Sequence, residues 1–153
     1  MEALDTFDIE ILKIIQKNNT TIQKEIGEKV HLSAAAVQRR IKKMTAAGVI
    51  QSNIAVIDPL KVGLAVTLFV IVTLEHERLE LVDEAKEKFK NCPEVQQCYY
   101  VTGKGDFVLT IVVPTMGDYE RLTRELFFAN NNVKRFETYV TLERVKTGLD
   151  ITL

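Results

Sequence analysis

Between Leu32 and Ile50 the chain sets small, hydrogen-bonding and cationic side chains at helical spacing. Ser33, Ala34, Ala35, Ala36, Val37, Gln38, Arg39, Arg40, Ile41, Lys42, Lys43 and Met44 are followed by Ala46, Ala47, Gly48 and Val49. At about 100° per residue, Val37, Ile41 and Met44 share one face, while Ala35, Gln38, Arg39 and Lys42 share the opposite one. A side chain that reads a base edge enters a groove about as wide as a helix, so it needs neighbours without bulk and flanking cations for phosphates. The alanines meet the first demand, and Arg39, Arg40, Lys42 and Lys43 meet the second. Ser33 suits the N-cap, where its hydroxyl takes an orphan backbone N–H at a helix end that can dock a phosphate. Taken alone, the same pattern also describes an amphipathic helix whose cations are merely solvated.

The segments before it favour the first alternative. Asp5 reads as an N-cap with Asp8 three residues on, and Leu4 faces Ile9 as a hydrophobic staple. Ile11, Leu12 and Ile15 continue an apolar stripe to about Lys17, where Asn18 and Asn19 end it. A second helix from near Thr21 buries Ile22, Ile26 and Val30, and a turn at His31 and Leu32 leads to Ser33. Three short helices, the last two joined by a tight turn, describe a helix-turn-helix. After Gly48, a helix-ending glycine, Val49 to Ile57 reads as extended chain.

Charge is distributed unevenly. No acid stands between Glu28 and Asp58, whereas Lys29, Arg39, Arg40, Lys42 and Lys43 lie between them. Residues 1–64 hold nine basic and seven acidic residues, and residues 65–153 hold eleven and fourteen, against a net charge of −1 for the chain. The local basic patch points to nucleic acid as partner. A length of 153 residues fits one medium domain or two small ones, and Asp58, Pro59 and Gly63 mark the joint. We therefore divide the chain into a helix-turn-helix domain at 1–50, an extended linker at 51–64 and a second domain at 65–153.

The second domain alternates strand and helix patterns. Ala65 to Leu74 is apolar and β-branched, and Leu79 to Phe89 has helical spacing through Val82, Ala85 and Phe89. Val95 to Thr102 and Phe107 to Val113 read as strands joined by the short loop Gly103, Lys104, Gly105 and Asp106. Tyr119, Leu122, Leu126 and Ala129 mark another helix, and Val133 to Val145 a last strand. This order predicts an α+β protein whose second domain is the ferredoxin-like βαββαβ arrangement, with two helices on one face of an antiparallel sheet. In the first strand Leu68, Val70 and Val72 point one way and Phe69 and Ile71 the other, so the sheet has an apolar face that its helices do not cover. A bare apolar face of this size is unusual in a monomer. It predicts a two-fold homodimer, which would present two reading helices to the half-sites of a near-palindromic duplex.

Signals for catalysis and metal binding are weak. His31 and His76 have no serine or cysteine beside them to form an activated nucleophile, and Cys92 and Cys98 are too few for a zinc site of the usual spacing. Gly103 to Gly105 joins strand to strand, not strand to helix, so it is no dinucleotide fingerprint. We expect no catalytic residue, no metal, no cofactor, no membrane partner and, with no signal peptide in view, a cytoplasmic protein with free thiols.

Leu4, Asp5, Asp8, Ile11 and Leu12, then Leu32, Ser33, Val37, Arg39, Arg40, Ile41, Gly48, Val49 and Ile50, then Thr102, Gly103, Asp106 and Leu109 together resemble the Lrp/AsnC, or feast/famine, transcription regulators. The resemblance runs over essentially the whole chain. It implies a winged helix-turn-helix domain that contacts double-stranded DNA through Ser33, Ala35, Gln38, Arg39, Arg40, Lys42 and Lys43. It also implies a ferredoxin-like domain that makes dimers, often four of them in an octamer, and binds a small effector such as an amino acid. His31 stands where the family usually has a turn glycine, Gly27 where it commonly has alanine, and Met44 and Thr45 where it has leucine and an acid. By the resemblance, the effector lies near the hairpin loop, with Gly103, Gly105 and Asp106 receiving it and Tyr100, Thr102 and Thr138 lining it. Gly105 departs from a bulkier family residue. Equally, the glycines would only turn the hairpin and Asp106 only cap it. A small enzyme built on a dimeric ferredoxin-like sheet is the other function class, but its cavity would need titratable side chains where these strands offer Val, Leu, Ile, Phe and Thr.

Overall fold

The computed structural model describes residues 3–153, which divide into two compact units: the chain up to Val56 together with Lys146–Leu153, and Ile57–Val145.

The first unit carries α1 (Thr6–Ile15), α2 (Gln23–Val30) and α3 (Ala34–Ala46). Its first helix starts as the acids predict. Asp5 Oδ1 accepts from the Asp8 N–H at 2.9 Å and Asp8 Oδ2 accepts from the Asp5 N–H at 3.2 Å, a reciprocal cap of the kind that contributes about 1 kcal/mol. The apolar stripes of the three helices converge in one core of Ile11, Leu12, Ile26, Val30, Val37 and Met44, against which Ile14, Ile15, Leu32, Ile41, Val49 and Ile50 pack. Helix α2 begins two residues later than the sequence predicts, at Gln23, with Ile22 in an extended conformation at its N-cap. Among the described residues the unit has no strand, and residues 51–58 run without regular structure.

The second unit opens with a short 3-10 turn at Pro59–Val62, capped by the Asp58 carboxylate and closed by Gly63 at φ 84°. Then follow β1 (Val66–Leu74), α4 (Leu79–Lys90), β2 (Val95–Tyr100), β3 (Phe107–Val113), α5 (Met116–Thr123) with a π-helical turn over Arg124–Phe128, and β4 (Val133–Val140). The sheet is antiparallel with strand order β2-β3-β1-β4, so the predicted βαββαβ arrangement is the one observed. Leu68, Val70, Val72, Phe107, Leu109 and Ile111 form its buried face against Val82, Ala85, Phe89, Tyr119, Leu122, Leu126 and Phe127. In the π-helical turn the Ala129 N–H bonds to the Arg124 carbonyl five residues back, and the wider turn lets Leu126 and Phe127 both point inward.

Two strands end earlier than their sequences suggest. β2 stops at Tyr100, because the Val101 N–H closes the hairpin on the Asp106 carbonyl at 2.8 Å, leaving Thr102 in the loop. β4 stops at Val140: the Thr141 N–H still reaches the Thr67 carbonyl, but β1 starts at Val66, opposite position 142, so Glu143 to Val145 lie past its end. The tail from Lys146 to Leu153 groups by contact with the helical unit. There Gln16 forms two hydrogen bonds with Ile151, Nε2 donating to the carbonyl at 2.9 Å and Oε1 accepting from the N–H at 3.2 Å.

Candidate nucleic-acid interface and effector loop

Helix α3 is anchored by Val37 and Met44, at 0% and 2% exposure, and turns Ala35, Gln38, Arg39, Lys42 and Lys43 outward. Ser33 caps it, its Oγ accepting from the Ala36 N–H at 3.2 Å. The turn that presents α3 is tight. The Leu32 N–H donates to the Gly27 carbonyl at 2.9 Å, and His31 takes a left-handed conformation, φ 58° and ψ 41°. Histidine thus occupies the usual glycine position without opening the turn. Gly27 is needed for a different reason: a Cβ there would lie 2.4 Å from the Leu32 carbonyl oxygen, so the backbone of α2 and that of the turn touch directly.

One predicted member is placed elsewhere. Arg40 leaves the outward face, and its Nη1 meets Asp5 Oδ2 and Asp8 Oδ1, both at 2.8 Å. The guanidinium lies 5.4 Å from the centre of the Phe7 ring, within cation–π range. Its hydrogen bonds with Asp8 and Asp5 raise the Arg40 pKa further above its ordinary value. The Asp8 backbone N–H, and then Arg40, lower that of Asp5. The grouping of Asp5, Asp8 and Arg40 escaped the sequence reading, although the three-residue spacing of the acids was visible as a cap.

In the second unit the loop residues and the other predicted effector contacts fall in separate places. Gly103 sits at φ 131° with open space around it, and Thr102 and Lys104 are exposed. Gly105 is buried, and a Cβ there would lie 2.4 Å from Ile71 Cγ2. It lets the hairpin close on β1, and its bareness is not an opening for a ligand. Asp106 is bound into the sheet: its N–H donates to the Val72 carbonyl at 2.8 Å, and its Oδ2 accepts from the Leu74 N–H at 2.7 Å. Thr138 bonds with the Tyr119 hydroxyl on the helix-covered face. Tyr100 packs on Phe107 at 5.1 Å beneath the Lys86 ammonium, which is 5.1 Å from its ring centre. It lines a groove of about 410 Å³ between α4 and β2 that includes Phe89, Lys90 and Cys98. Of the six predicted effector residues, Thr102, Gly103, Gly105 and Asp106 share the loop, while Tyr100 and Thr138 do not join them.

Both thiols are free, and burial pushes the pKa of Cys92 and of Cys98 up. Among the described residues no group of three or more His, Cys, Asp or Glu could hold a metal ion, and no helix is long and apolar enough to cross a membrane.

Comparison with known proteins separates the same two regions. Residues 4–51 match a family described as winged helix-turn-helix DNA-binding, and residues 67–151 match the Lrp/AsnC ligand binding domain. The chain belongs to the Lrp/AsnC family. It is a DNA-binding transcriptional regulator and not an enzyme. An uncharacterized HTH-type transcriptional regulator, y4tD of Sinorhizobium fredii, is 42% identical over 98% of this chain and 89% of its own length. The glutamate uptake regulatory protein of Zymomonas mobilis is 36% identical over 82% of this chain and 77% of its own length. Among solved structures, an AsnC family transcriptional regulator from Agrobacterium tumefaciens superposes with a TM-score of 0.89 at 30% identity, covering 97% of each chain. The Lrp/AsnC ligand-binding region ends at residue 151 by sequence, although from Lys146 the chain packs with the helical unit.

Proposed function

We propose that this Lrp/AsnC regulator grips a near-palindromic duplex as a two-fold dimer, with Gln38 at base edges and with Arg39, Lys42, Lys43 and the Ser33 end of α3 on phosphates. The observation that carries this reading is the orientation of α3: apolar residues inward, and alanine, amide and cations outward on a single face. Lysines and arginines that neutralise phosphates make affinity salt-dependent, and bidentate amide contacts discriminate bases.

Dimerisation rests on the uncovered side of the sheet. There Phe69 pairs with Thr110 and Tyr139, Ile71 with Val108, and Tyr99 with Val108, while Phe69, Tyr99 and Tyr139 are 45%, 55% and 53% exposed. A second copy of that face is the partner it fits, and such dimers are the units of any larger ring. An amino acid is the proposed effector class, supported by the family description of residues 67–151 as a ligand binding domain and by a relative named for glutamate uptake. The exposed end of the hairpin, Thr102, Gly103 and Lys104, is the part of the loop left for it.

The test is selection of bound fragments from a random-sequence duplex library, with and without a pool of the twenty standard amino acids. A near-palindromic consensus, with enrichment or oligomer size altered by the pool, is the expected result. No consensus refutes the reading of α3, and a consensus indifferent to the pool refutes the effector class.

A further inference from the structure

Arg40 adjoins Arg39 and Lys42, both exposed, on α3, yet is itself only partly exposed. Relative to Lys42 it is turned by about 160° around the helix, and it lies within about 40° of Met44, on the edge of the buried side. Its side chain is 26% exposed, and that of its partner Asp8 is 13% exposed.

The two carboxylates are themselves fixed. Asp5 spends Oδ1 on the N–H of Asp8 and Asp8 spends Oδ2 on the N–H of Asp5, so each has one oxygen left, and Arg40 takes both. One guanidinium between two carboxylates makes a cluster with a net charge of −1, which has no surplus cation to offer a phosphate. The cap of α1 and the middle of α3 are thereby joined at one point, reinforced by the Phe7 ring beneath the guanidinium.

We infer that Arg40 is a positioning residue for DNA recognition: clamped by Asp5 and Asp8, it sets the angle at which α3 offers Gln38 and Arg39, and it makes no phosphate contact. The inference rests on the reading of α3 as the DNA-contacting helix. The clamp and a phosphate contact predict opposite signs for one substitution. Removing the acid at position 8 makes the protein more basic and would release an arginine for DNA, so a phosphate role predicts tighter binding by Asp8→Asn. A positioning role predicts weaker binding.

The experiment measures affinity for a duplex selected by the unaltered chain, and for random duplex, at several salt concentrations, on protein held well below its melting temperature. Arg39→Ala serves as the phosphate reference, lowering the salt slope by about one unit. Arg40→Ala is expected to weaken the selected duplex about tenfold, with an unchanged slope and random-duplex binding within about twofold. Asp8→Asn is expected to weaken it in the same direction. Arg40→Lys, which keeps the charge but has no planar guanidinium to lie over the Phe7 ring, is expected to fall between Arg40→Ala and the unaltered chain. Tighter binding by Asp8→Asn, or a slope in Arg40→Ala that falls as in Arg39→Ala, overturns the inference. So does an unchanged ratio of selected to random affinity in the folded Arg40→Ala and Asp8→Asn proteins, which would reduce the clamp to a stabilising ion pair. Should Arg40→Ala fail to fold, Asp8→Asn and Arg40→Lys decide by the same criteria. Failure of the unaltered chain to select any duplex would count against the α3 reading itself, a distinct outcome.

Discussion

Replacing Gly27 with alanine sets helix propensity against packing at the turn that presents α3. Gly27 lies inside α2, where alanine is favoured over glycine by about 1 kcal/mol, and propensity alone predicts a more stable protein. The new Cβ, however, would lie 2.4 Å from the Leu32 carbonyl oxygen and 3.4 Å from its carbon. These are backbone atoms with no rotamer to give way, so the peptide has to retreat by about 1 Å to restore ordinary contact, with an overpacking cost of about 1–3 kcal/mol. The same residue donates its N–H to the Gly27 carbonyl, and its carbonyl leads directly into the Ser33 cap. We therefore expect Gly27→Ala to destabilise the helical unit by about 1 kcal/mol, lowering its melting temperature by about 4–8 °C for a unit of this size, and to weaken binding of a selected duplex. Amide exchange of α2 and α3 reads this unit without interference from the sheet. His31→Gly is the matched control, since it relieves a left-handed conformation costing roughly 1 kcal/mol and adds no atom, and its melting temperature should rise. A higher melting temperature for Gly27→Ala would refute the close-approach argument.

Asp106→Ala strips the acceptor from the Leu74 N–H and should cost about 1–3 kcal/mol; amide exchange at Leu74 must accelerate whether or not an amino acid is present, and unchanged exchange would return Asp106 to the list of ligand contacts. Phe69→Asp puts a charge at the centre of the uncovered sheet face, and light scattering should then give a monomer where the unaltered chain gives a dimer or larger; an unchanged mass removes that face from the interface. Because the Asp5 pKa is lowered on folding, by the Asp8 N–H first and by Arg40, its contribution is complete above the ordinary aspartate range near pH 3.9 and is lost as pH falls through the lowered value. Acid titration of the helical unit should show this limb, and Asp5→Asn should flatten it; an identical titration by the variant would contradict the assignment.

Periodicity made the three helices, the split βαβ order and the uncovered face legible, because each rests on a repeat that one segment carries by itself. The inward set of Val37, Ile41 and Met44 and the alternation about Phe69 are of this kind. What remained hidden depends on pairs distant in sequence. Arg40 reads as one more cation on a basic helix until α1 brings Asp5 and Asp8 to it. Gly27 reads as a weak point in α2 until the Leu32 carbonyl is seen against it, and Gly105 as a bare loop residue until Ile71 is. The run up to Val145 looks like a continuing strand, but β1 starts at Val66 and leaves Glu143 to Val145 past its end. The proposed effector contacts were the least legible, since Thr138 bonds with Tyr119 on the helix-covered face and the Tyr100 ring packs on Phe107 beneath Lys86.

The pairing of Gln16 with Ile151 also bears on how the protein is made. Its partners are separated by 135 positions, and at ribosomal speeds of 5–20 residues per second the second emerges on the order of ten seconds after the first. The helices therefore fold around their own apolar centre before the tail is available. A nascent regulator passes through a stage in which its reading head is assembled but not yet fastened.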